Sequence, residues 1–195
     1  IQEALSSWGC HKLYLALDTS LLWARYCVIR ISLIYRGRAI PLVWQVIEQA
    51  SSSIAFTTYE ALLDKAATLL PRHCEVVFLA DRGFADTALM RHATKLNWHW
   101  RIRIKGSFVV YRRGQRRCKL SAYALPAGHA HFWQHVQLTD ERYGPVYLAL
   151  AHLAENGERW FVVSDEPTNL TTLDEYGLRF DIEENFLDDK SNGFQ

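Results

Sequence analysis

Two aspartates directly follow short apolar stretches of the sequence. The stretch 13–17 (LYLAL) leads into Asp18, and the stretch 75–80 (EVVFLA) leads into Asp81. Such stretches are typical of buried strands, so each strand would present a carboxylate at its end. Carboxylates that meet in this way can hold divalent metal ions. Each aspartate can also be a turn or helix-capping residue, and taken singly neither one decides between the two interpretations.

A third carboxylate, Glu183, lies on a segment whose pattern predicts a helix. Thr172 and Glu175 have capping-box spacing, which predicts that the helix begins there. At about 100° per residue, four polar residues fall within an arc of about 60°: Tyr176, Arg179, Glu183 and Lys190. Apolar residues flank this arc, so it faces inward, where charges need partners or a polar cleft. The arc therefore predicts a functional site or, alternatively, an inert Arg179–Glu183 pair at i,i+4.

The elements that position these residues follow from apolar spacing. The predicted strands cover 13–17, 26–35, 39–47, 75–80 and 98–104, and the predicted helices cover 56–70 and 86–96. Pro41 predicts that the third strand lies at a sheet edge or begins late, because proline cannot donate to a ladder. Three strands, a helix, a strand, a helix and a strand is the order of ribonuclease-H-like folds. The sequence thus predicts an α/β protein.

The stretch 106–171 interrupts this order with short β-like runs separated by Gly, Pro and Asn turns. We interpret it as a β-rich insertion before the last helix. The predicted organisation is one domain over 1–195, with a core at about 10–105 and 172–190. The chain opens on Ile1 and has no apolar run long enough to span a membrane and no signal-peptide pattern, so we expect a fragment of a longer protein without a membrane partner.

Charge is distributed unevenly although the net charge is only +1. Eight basic residues and no acidic one lie between Arg101 and Lys119, whereas eleven acidic residues and three basic ones follow from Glu155 to the end. The basic block predicts either contact with DNA or a solvated hairpin. The four cysteines form no C-x-x-C pair and are expected to be free thiols. Three histidines cluster without a cysteine pair, which only weakly indicates zinc: His129, His131 and His135.

The motifs together resemble the DDE transposases of bacterial insertion sequences that carry a Y-R-E-K signature. The signature matches Tyr176-x2-Arg179-x3-Glu183-x6-Lys190 at every step. The segments LDTS, which contains Asp18, and ADRGF, which contains Asp81, are similar to the two aspartate segments of that family. The intervals of 63 and 102 residues between the three carboxylates, and the insertion before the glutamate, also fit.

The resemblance implies a ribonuclease-H-like mixed sheet with flanking helices. It implies that Asp18, Asp81 and Glu183 are the catalytic and metal-binding residues, holding two Mg²⁺ or Mn²⁺ ions. The phosphate-binding residues at the transposon end would be Tyr176, Arg179 and Lys190. The implied partners are the inverted-repeat ends of a transposon, target DNA and a second copy of the chain assembled on DNA. The implied location is the bacterial cytoplasm, at the nucleoid.

Several alternatives stay open at this stage. Some members of the family stack an aromatic residue of the insertion on a flipped base, and Trp133 and Trp160 are candidates for this role or for core packing. A ribonuclease-H-like nuclease that cuts but never joins DNA would share the same carboxylates. A decayed or domesticated DNA-binding remnant would share the fold without the activity.

Overall fold

The structure is a computed structural model of the chain and describes residues 12–183. The strands in this range are β1 (Lys12–Leu22), β2 (Tyr26–Tyr35), β3 (Arg38–Glu48), β4 (Glu75–Ala80), β5 (His99–Arg103), β6 (Val109–Tyr111), β7 (Cys118–Lys119), β8 (Ala130–Leu138), β9 (Tyr143–His152) and β10 (Arg159–Ser164). The α-helices are α1 (Phe56–Leu69), α2 (Thr87–Lys95) and α3 (Leu170–Gly177), and short 3₁₀ turns lie at Arg82–Phe84 and Leu120–Ala122. None of the helices in 12–183 is long and apolar enough to span a membrane.

All ten strands of the described range lie in one mixed sheet, in the order β3-β2-β1-β4-β5-β10-β9-β8-β6-β7. Strands β1, β2 and β3 are antiparallel neighbours, whereas β4 runs parallel to both β1 and β5. Parallel neighbours need a crossover connection, and α1 and α2 lie in the connections that lead into β4 and β5. The element order predicted from the sequence for the first half of the chain is therefore present.

The β-rich stretch extends this sheet. Strand β10 pairs antiparallel with β5, and β9, β8 and β6 continue from it, each antiparallel to the strand before. Strand β3 forms the opposite edge, as Pro41 predicted, and the β2–β3 register shifts between Ile31 and Ser32, where Ser32 pairs with Pro41. An edge position lets the missing N–H of proline face away from the ladder.

The sheet buries side chains on both faces, because successive residues of a strand point to opposite sides. The face under α1 and α2 forms the larger core, which includes Leu15, Ile31, Phe78 and Trp100. The other face is covered by α3 and residues 178–183. Its apolar contacts form two smaller clusters that include Ala16, Val77 and Ile182 in one, and Ala149, Val162 and Tyr176 in the other.

The last helix differs from its prediction in two ways. It begins at Leu170 with Asn169 as its N-cap, and the capping box joins Asn169 and Thr172. The predicted Thr172–Glu175 box is therefore wrong. The helix ends at Gly177, a turn covers 178–179, and residues 180–183 are helical again. Here Arg179 N donates to Tyr176 O at 3.1 Å and Ile182 N to Arg179 O at 3.1 Å, so the segment is wound more tightly than the continuous α-helix that we predicted.

Candidate active site

Asp18 and Asp81 are neighbours at the end of a parallel strand pair. The β1–β4 pairing ends with Leu17 opposite Ala80, so each aspartate is the next residue on its strand. The sequence predicted that this strand ends at Leu17, but β1 continues to Leu22, paired with β2 alone. Asp18 therefore lies where β1 and β4 separate. The two carboxylates are next to each other because both follow the last paired residues of these strands.

The carboxylate of Asp81 is not used as a helix cap. Asp81 precedes the 3₁₀ turn Arg82–Phe84 with extended backbone angles, and its side chain makes no capping hydrogen bond. The turn is closed by its backbone instead, since Phe84 N donates to Asp81 O at 2.9 Å. The carboxylate accepts a hydrogen bond from the hydroxyl of Tyr176, with Oδ1 at 3.3 Å. The geometry thus gives no support to the alternative that Asp81 is a capping residue.

Asp18 is held in a desolvated position. Its side chain is 17% exposed, Oδ1 accepts from Thr19 N at 2.8 Å, and Oδ2 accepts from Arg179 Nη1 at 3.4 Å. Burial raises the pKa of Asp18 to about 6; the charge of Arg179 and the hydrogen bond of Thr19 oppose this rise, and Glu183 and Asp81 add to it. A carboxylate of this kind is stabilised by any cation that reaches it.

Arg179 occupies the centre of the site. Its side chain is 2% exposed and donates from Nη2 to Glu183 Oε1 at 2.6 Å as well as to Asp18. The i,i+4 pair of the inert alternative is therefore present, but it is part of a three-residue contact. Although burial lowers the pKa of Arg179, Tyr176 and the nearby carboxylates outweigh it and raise that pKa. Within 12–183, the buried Nε has no hydrogen-bond partner, so one donor remains for a further acceptor.

Tyr176 is fully buried beside Asp81. Burial raises its pKa to about 12, so its hydroxyl is protonated at neutral pH and acts as a donor. The ring of Trp160 packs edge-on against the ring of Tyr176 at 5.2 Å, and Phe180 lies 5.7 Å from Trp160. These aromatic rings shield one side of the polar group from water. Trp160 thus packs beside the site.

The three predicted carboxylates surround Arg179 and Tyr176, and their oxygen atoms do not all lie within 4.8 Å of one another. In the described range, the group whose ligand atoms all lie within 4.8 Å is a different one: His99, Asp165 and Glu166. The donor set of Asp18, Asp81 and Glu183 nevertheless fits Mg²⁺ or Mn²⁺, because it consists of carboxylate oxygens without histidine or thiol. The desolvated carboxylate of Asp18 adds to this fit, because a bound cation would stabilise its charged form.

The His99 cluster has its charges balanced by protein groups. Asp165 accepts from Trp100 N at 2.9 Å and contacts His99 Nδ1 at 2.7 Å, while Arg101 Nη2 donates to Glu166 at 2.7 Å. The oxygens that would bind a metal ion are thus already used by a backbone N–H, an imidazole and a guanidinium. We therefore assign the cluster a structural role.

Two features near the site were missed from the sequence. Glu175, one residue before Tyr176, is buried and accepts hydrogen bonds from Arg101 on β5 and from Tyr14 and Lys12 on β1. Arg30 on β2 is 6% exposed and is the direct cross-strand partner of Asp18. A charged residue inside an otherwise apolar strand (YCVIRISLIY) was the signal that could have identified Arg30.

The remaining candidates from the sequence (the insertion tryptophan, the histidines, the cysteines and Lys190) make contacts outside the carboxylate site or lie outside residues 12–183. Trp133 is 8% exposed and packs in the larger core, under the guanidinium of Arg112 at 3.7 Å. His131 contacts the hydroxyl of Tyr123 and His129 a backbone carbonyl, without a metal-type grouping among the described residues. Cys27, Cys74 and Cys118 form no disulfide within residues 12–183. Lys190 and Cys10 lie outside the described residues.

Comparisons with known proteins bear on the family and the fold of the chain. The family model described as "Transposase DDE domain" matches residues 24–194. A cryo-EM structure of the piggyBac transposase synaptic complex with hairpin DNA is similar at a TM-score of 0.56, with 9% identity over 88% of this chain and 39% of that chain. The Marinitoga piezophila Argonaute bound to a 5′-OH guide RNA aligns over 87% of this chain and 25% of that chain, at 12% identity and a TM-score of 0.35, too low for an argument. No curated protein sequence matches.

At 9% identity the piggyBac likeness concerns the fold alone, and it confirms the predicted ribonuclease-H-like sheet with flanking helices. The chain spans about two fifths of the piggyBac chain that it matches. The family match covers well over half of the sequence and includes Asp81, Tyr176, Arg179 and Glu183.

Proposed function

The chain belongs to the transposase DDE domain family, and from this premise we propose that it is the catalytic part of a DNA transposase of the Y-R-E-K group. The proposed reactions are hydrolysis of a phosphodiester bond at a transposon end and transfer of the freed 3′-hydroxyl to target DNA. The proposed substrates are therefore inverted-repeat ends and target duplex, and the proposed assembly is a homodimer on DNA. We propose a single domain whose β-rich insertion at 106–171 extends the sheet.

One observation supports this function above the others. Side chains from three distant parts of the sequence meet at one sheet edge, with Arg179 contacting Asp18 across 161 residues of sequence and Tyr176 contacting Asp81 across 95. The fold of a nonenzymatic domain does not require a desolvated carboxylate, a second uncapped carboxylate and a buried arginine to converge. Burying such groups costs free energy. A catalytic role is a reason for a protein to keep them despite that cost.

We propose that Asp18, Asp81 and Glu183 are the catalytic residues and the metal ligands. Two Mg²⁺ or Mn²⁺ ions held there would supply charge neutralisation on the attacking and leaving oxygens and an activated water. The protein groups do the positioning. Tyr176 orients the carboxylate of Asp81 through its hydroxyl. The buried surroundings of Asp18 exclude bulk water from one side of the reacting phosphate.

We further propose that Tyr176, Arg179 and Lys190 bind DNA phosphates. In the structure Arg179 neutralises Asp18 and Glu183, and its Nε, which has no hydrogen-bond partner among residues 12–183, offers a donor to a phosphate oxygen. A guanidinium can donate to two oxygens at once, so it suits a phosphate that enters between the carboxylates. Lys190 would add a point charge on the same segment.

The test is cleavage and joining of a labelled transposon end by the complete protein. We expect wild-type protein to cut in Mg²⁺, and Asp81→Ala to lose cleavage by at least about 10³-fold while it still binds the end. Asp174→Ala is the matched control, because Asp174 is an exposed carboxylate on α3. It should cut normally. Cleavage that survives in Asp81→Ala or in excess chelator would refute the proposal.

The products separate the rival functions. Labelled strands covalently joined to a target duplex support transposition. Cleaved strands that are never joined favour the nuclease alternative. Binding of the end without any cleavage by the wild-type protein favours the DNA-binding remnant.

A further inference from the structure

The turn between β6 and β7 concentrates positive charge on the surface. Residues 112–117 (RRGQRR), called the basic turn here, contain four arginines and no acidic residue. Arg113, Arg116 and Arg117 are exposed, and Arg112 is half-buried. The proposed active site does not use any of them. The sequence left two interpretations open for this block, contact with DNA or a solvated hairpin.

The sheet topology places the basic turn at the same end of the strands as Asp18 and Asp81. Four antiparallel steps lead from β5 through β10, β9 and β8 to β6, so β6 runs in the same direction as β1, β4 and β5. The ends of β1–β4 pairing and of β6 thus point the same way. The contact of Arg112 with Trp133 places the turn next to Phe132 on β8. One row of cross-strand partners runs from Phe132 across the sheet to Arg103, the last residue of β5, through Ala149 on β9 and Val162 on β10.

The turn is held in one shape while part of its charge stays available. The guanidinium of Arg112 lies 3.7 Å from the ring centre of Trp133 and also donates to the side chain of Gln115. Gly114 has a φ of +72°, a left-handed backbone conformation that permits the tight reversal. Arg117 is near Asp140 at 3.5 Å, whereas Arg113 and Arg116 form no ion pair among residues 12–183.

We propose that Arg113 and Arg116 bind the phosphate backbone of a DNA duplex at a distance from the cut site. This inference rests on the proposed function, because it takes the scissile phosphate to lie at Asp18 and Asp81. Five strand spacings separate β4 from β6, which is about 24 Å. At about 3.4 Å per base pair, the contacted phosphates lie about seven base pairs from the cut. Exposed, prepositioned guanidinium groups fit phosphates of any sequence.

The experiment measures binding of the complete protein to two duplexes that contain the transposon end. The long duplex extends about 20 base pairs on both sides of the cut, and the short one stops about four base pairs from it on both sides, before the basic turn can be reached. For Arg113→Ala/Arg116→Ala we expect affinity for the long duplex to fall about 10- to 100-fold, and the slope of log affinity against log salt to decrease by about two. For the short duplex the variant and the wild type should bind equally.

Two controls separate local contact from net charge and from folding. Lys65→Ala/Arg72→Ala removes the same charge from two exposed positions, one in α1 and one just after it. These positions lie in the connection that leads to the start of β4, whereas the carboxylates lie at the end of β4. This variant should leave both duplex affinities unchanged. Arg113→Lys/Arg116→Lys should restore most of the salt slope. An unchanged slope for the alanine variant on the long duplex, or an equal loss on both duplexes, would overturn the proposal.

Failure of this proposal and failure of the proposed function give different results. A protein that cuts transposon ends but shows no effect of the alanine variant on the long duplex refutes the role of the basic turn alone. A protein that never cuts, but loses affinity for the long duplex in the variant, supports the basic turn as a DNA surface and refutes the enzymatic function.

Discussion

Arg101 donates from Nε to Oε2 of Glu175 at 2.9 Å, and the two side chains are only 6% and 9% exposed. The other carboxylate oxygen of Glu175 accepts from Tyr14 at 3.0 Å and Lys12 at 3.3 Å. Donors from two central strands therefore hold α3 on the sheet at the residue just before Tyr176. This contact fixes the rotation of the helix that carries Tyr176 towards Asp81.

We expect Glu175→Gln to destabilise the fold by about 2 kcal/mol, because it removes the least exposed of the carboxylates that contact the buried charge of Arg101. Urea denaturation measures this change. Asp140→Asn is the control, since it breaks the Arg117–Asp140 pair, whose side chains are 68% and 81% exposed, and should cost less than about 1 kcal/mol. Equal effects of the two substitutions would show that the Glu175 contact does not stabilise α3.

The same contact predicts a pH dependence. Burial favours the neutral form of Glu175, but Arg101, Tyr14 and Lys12 outweigh it and hold the pKa of Glu175 below its ordinary value of 4.5. A carboxylate with a lowered pKa in the folded state contributes stability that is fully present above the unfolded pKa and is lost as the pH falls through the folded pKa. The difference in unfolding free energy between wild type and Glu175→Gln should therefore shrink below about pH 4.5. A difference that stays constant down to about pH 3 would contradict this account.

How much of the molecule could be predicted depends on whether a pattern is local. Apolar spacing predicted the strands and both crossover helices, since strand and helix periods are properties of short stretches. The neighbouring positions of Asp18 and Asp81 also followed, because parallel strands bring equivalent ends to one edge. The start of α3 was wrong because Glu175 also matched a capping box. In the folded chain Asn169 and Thr172 form the box, and Arg101, 74 residues away, binds the carboxylate of Glu175.

The burial of the site was equally beyond the sequence. The helical wheel placed Tyr176, Arg179 and Glu183 on one face, but it could not show that the first two side chains are 0% and 2% exposed while Glu183 is 47% exposed. That difference depends on Trp160 and Phe180 packing against Tyr176. It also depends on the tight turn at 178–179, which a uniform advance of about 100° per residue does not describe.

We expect Tyr176→Phe to lower cleavage about tenfold and to raise the Mg²⁺ concentration needed for half-maximal activity, since Asp81 loses the hydroxyl that orients it. A Mg²⁺ titration of cleavage measures both effects. Tyr14→Phe is the matched control, because it removes a hydroxyl from a carboxylate, that of Glu175, outside the site. It should cost about 1 kcal/mol of stability and leave the Mg²⁺ dependence unchanged. An identical Mg²⁺ response of both variants would show that the Tyr176 hydroxyl acts only on stability.

The last prediction concerns Arg179 and its short contact with Glu183. If Arg179 binds a phosphate, Arg179→Ala should weaken binding to transposon ends and lower the salt slope by about one, and Lys190→Ala should do the same. Glu183→Gln should instead abolish cleavage with little loss of affinity. Because Arg179 is buried between two carboxylates and Glu183 is half-exposed, we expect Arg179→Ala to lower the melting temperature clearly and Glu183→Gln to change it little.

An inert Arg179–Glu183 pair makes the opposite forecast for the same variants. Both substitutions would then lower the melting temperature to a similar extent, and neither would change the salt slope. Affinity, salt slope and melting temperature measured side by side therefore distinguish the two roles. Cleavage by Glu183→Gln at the wild-type rate would remove Glu183 from the catalytic residues, because a metal-binding carboxylate cannot be replaced by an uncharged amide without loss of activity.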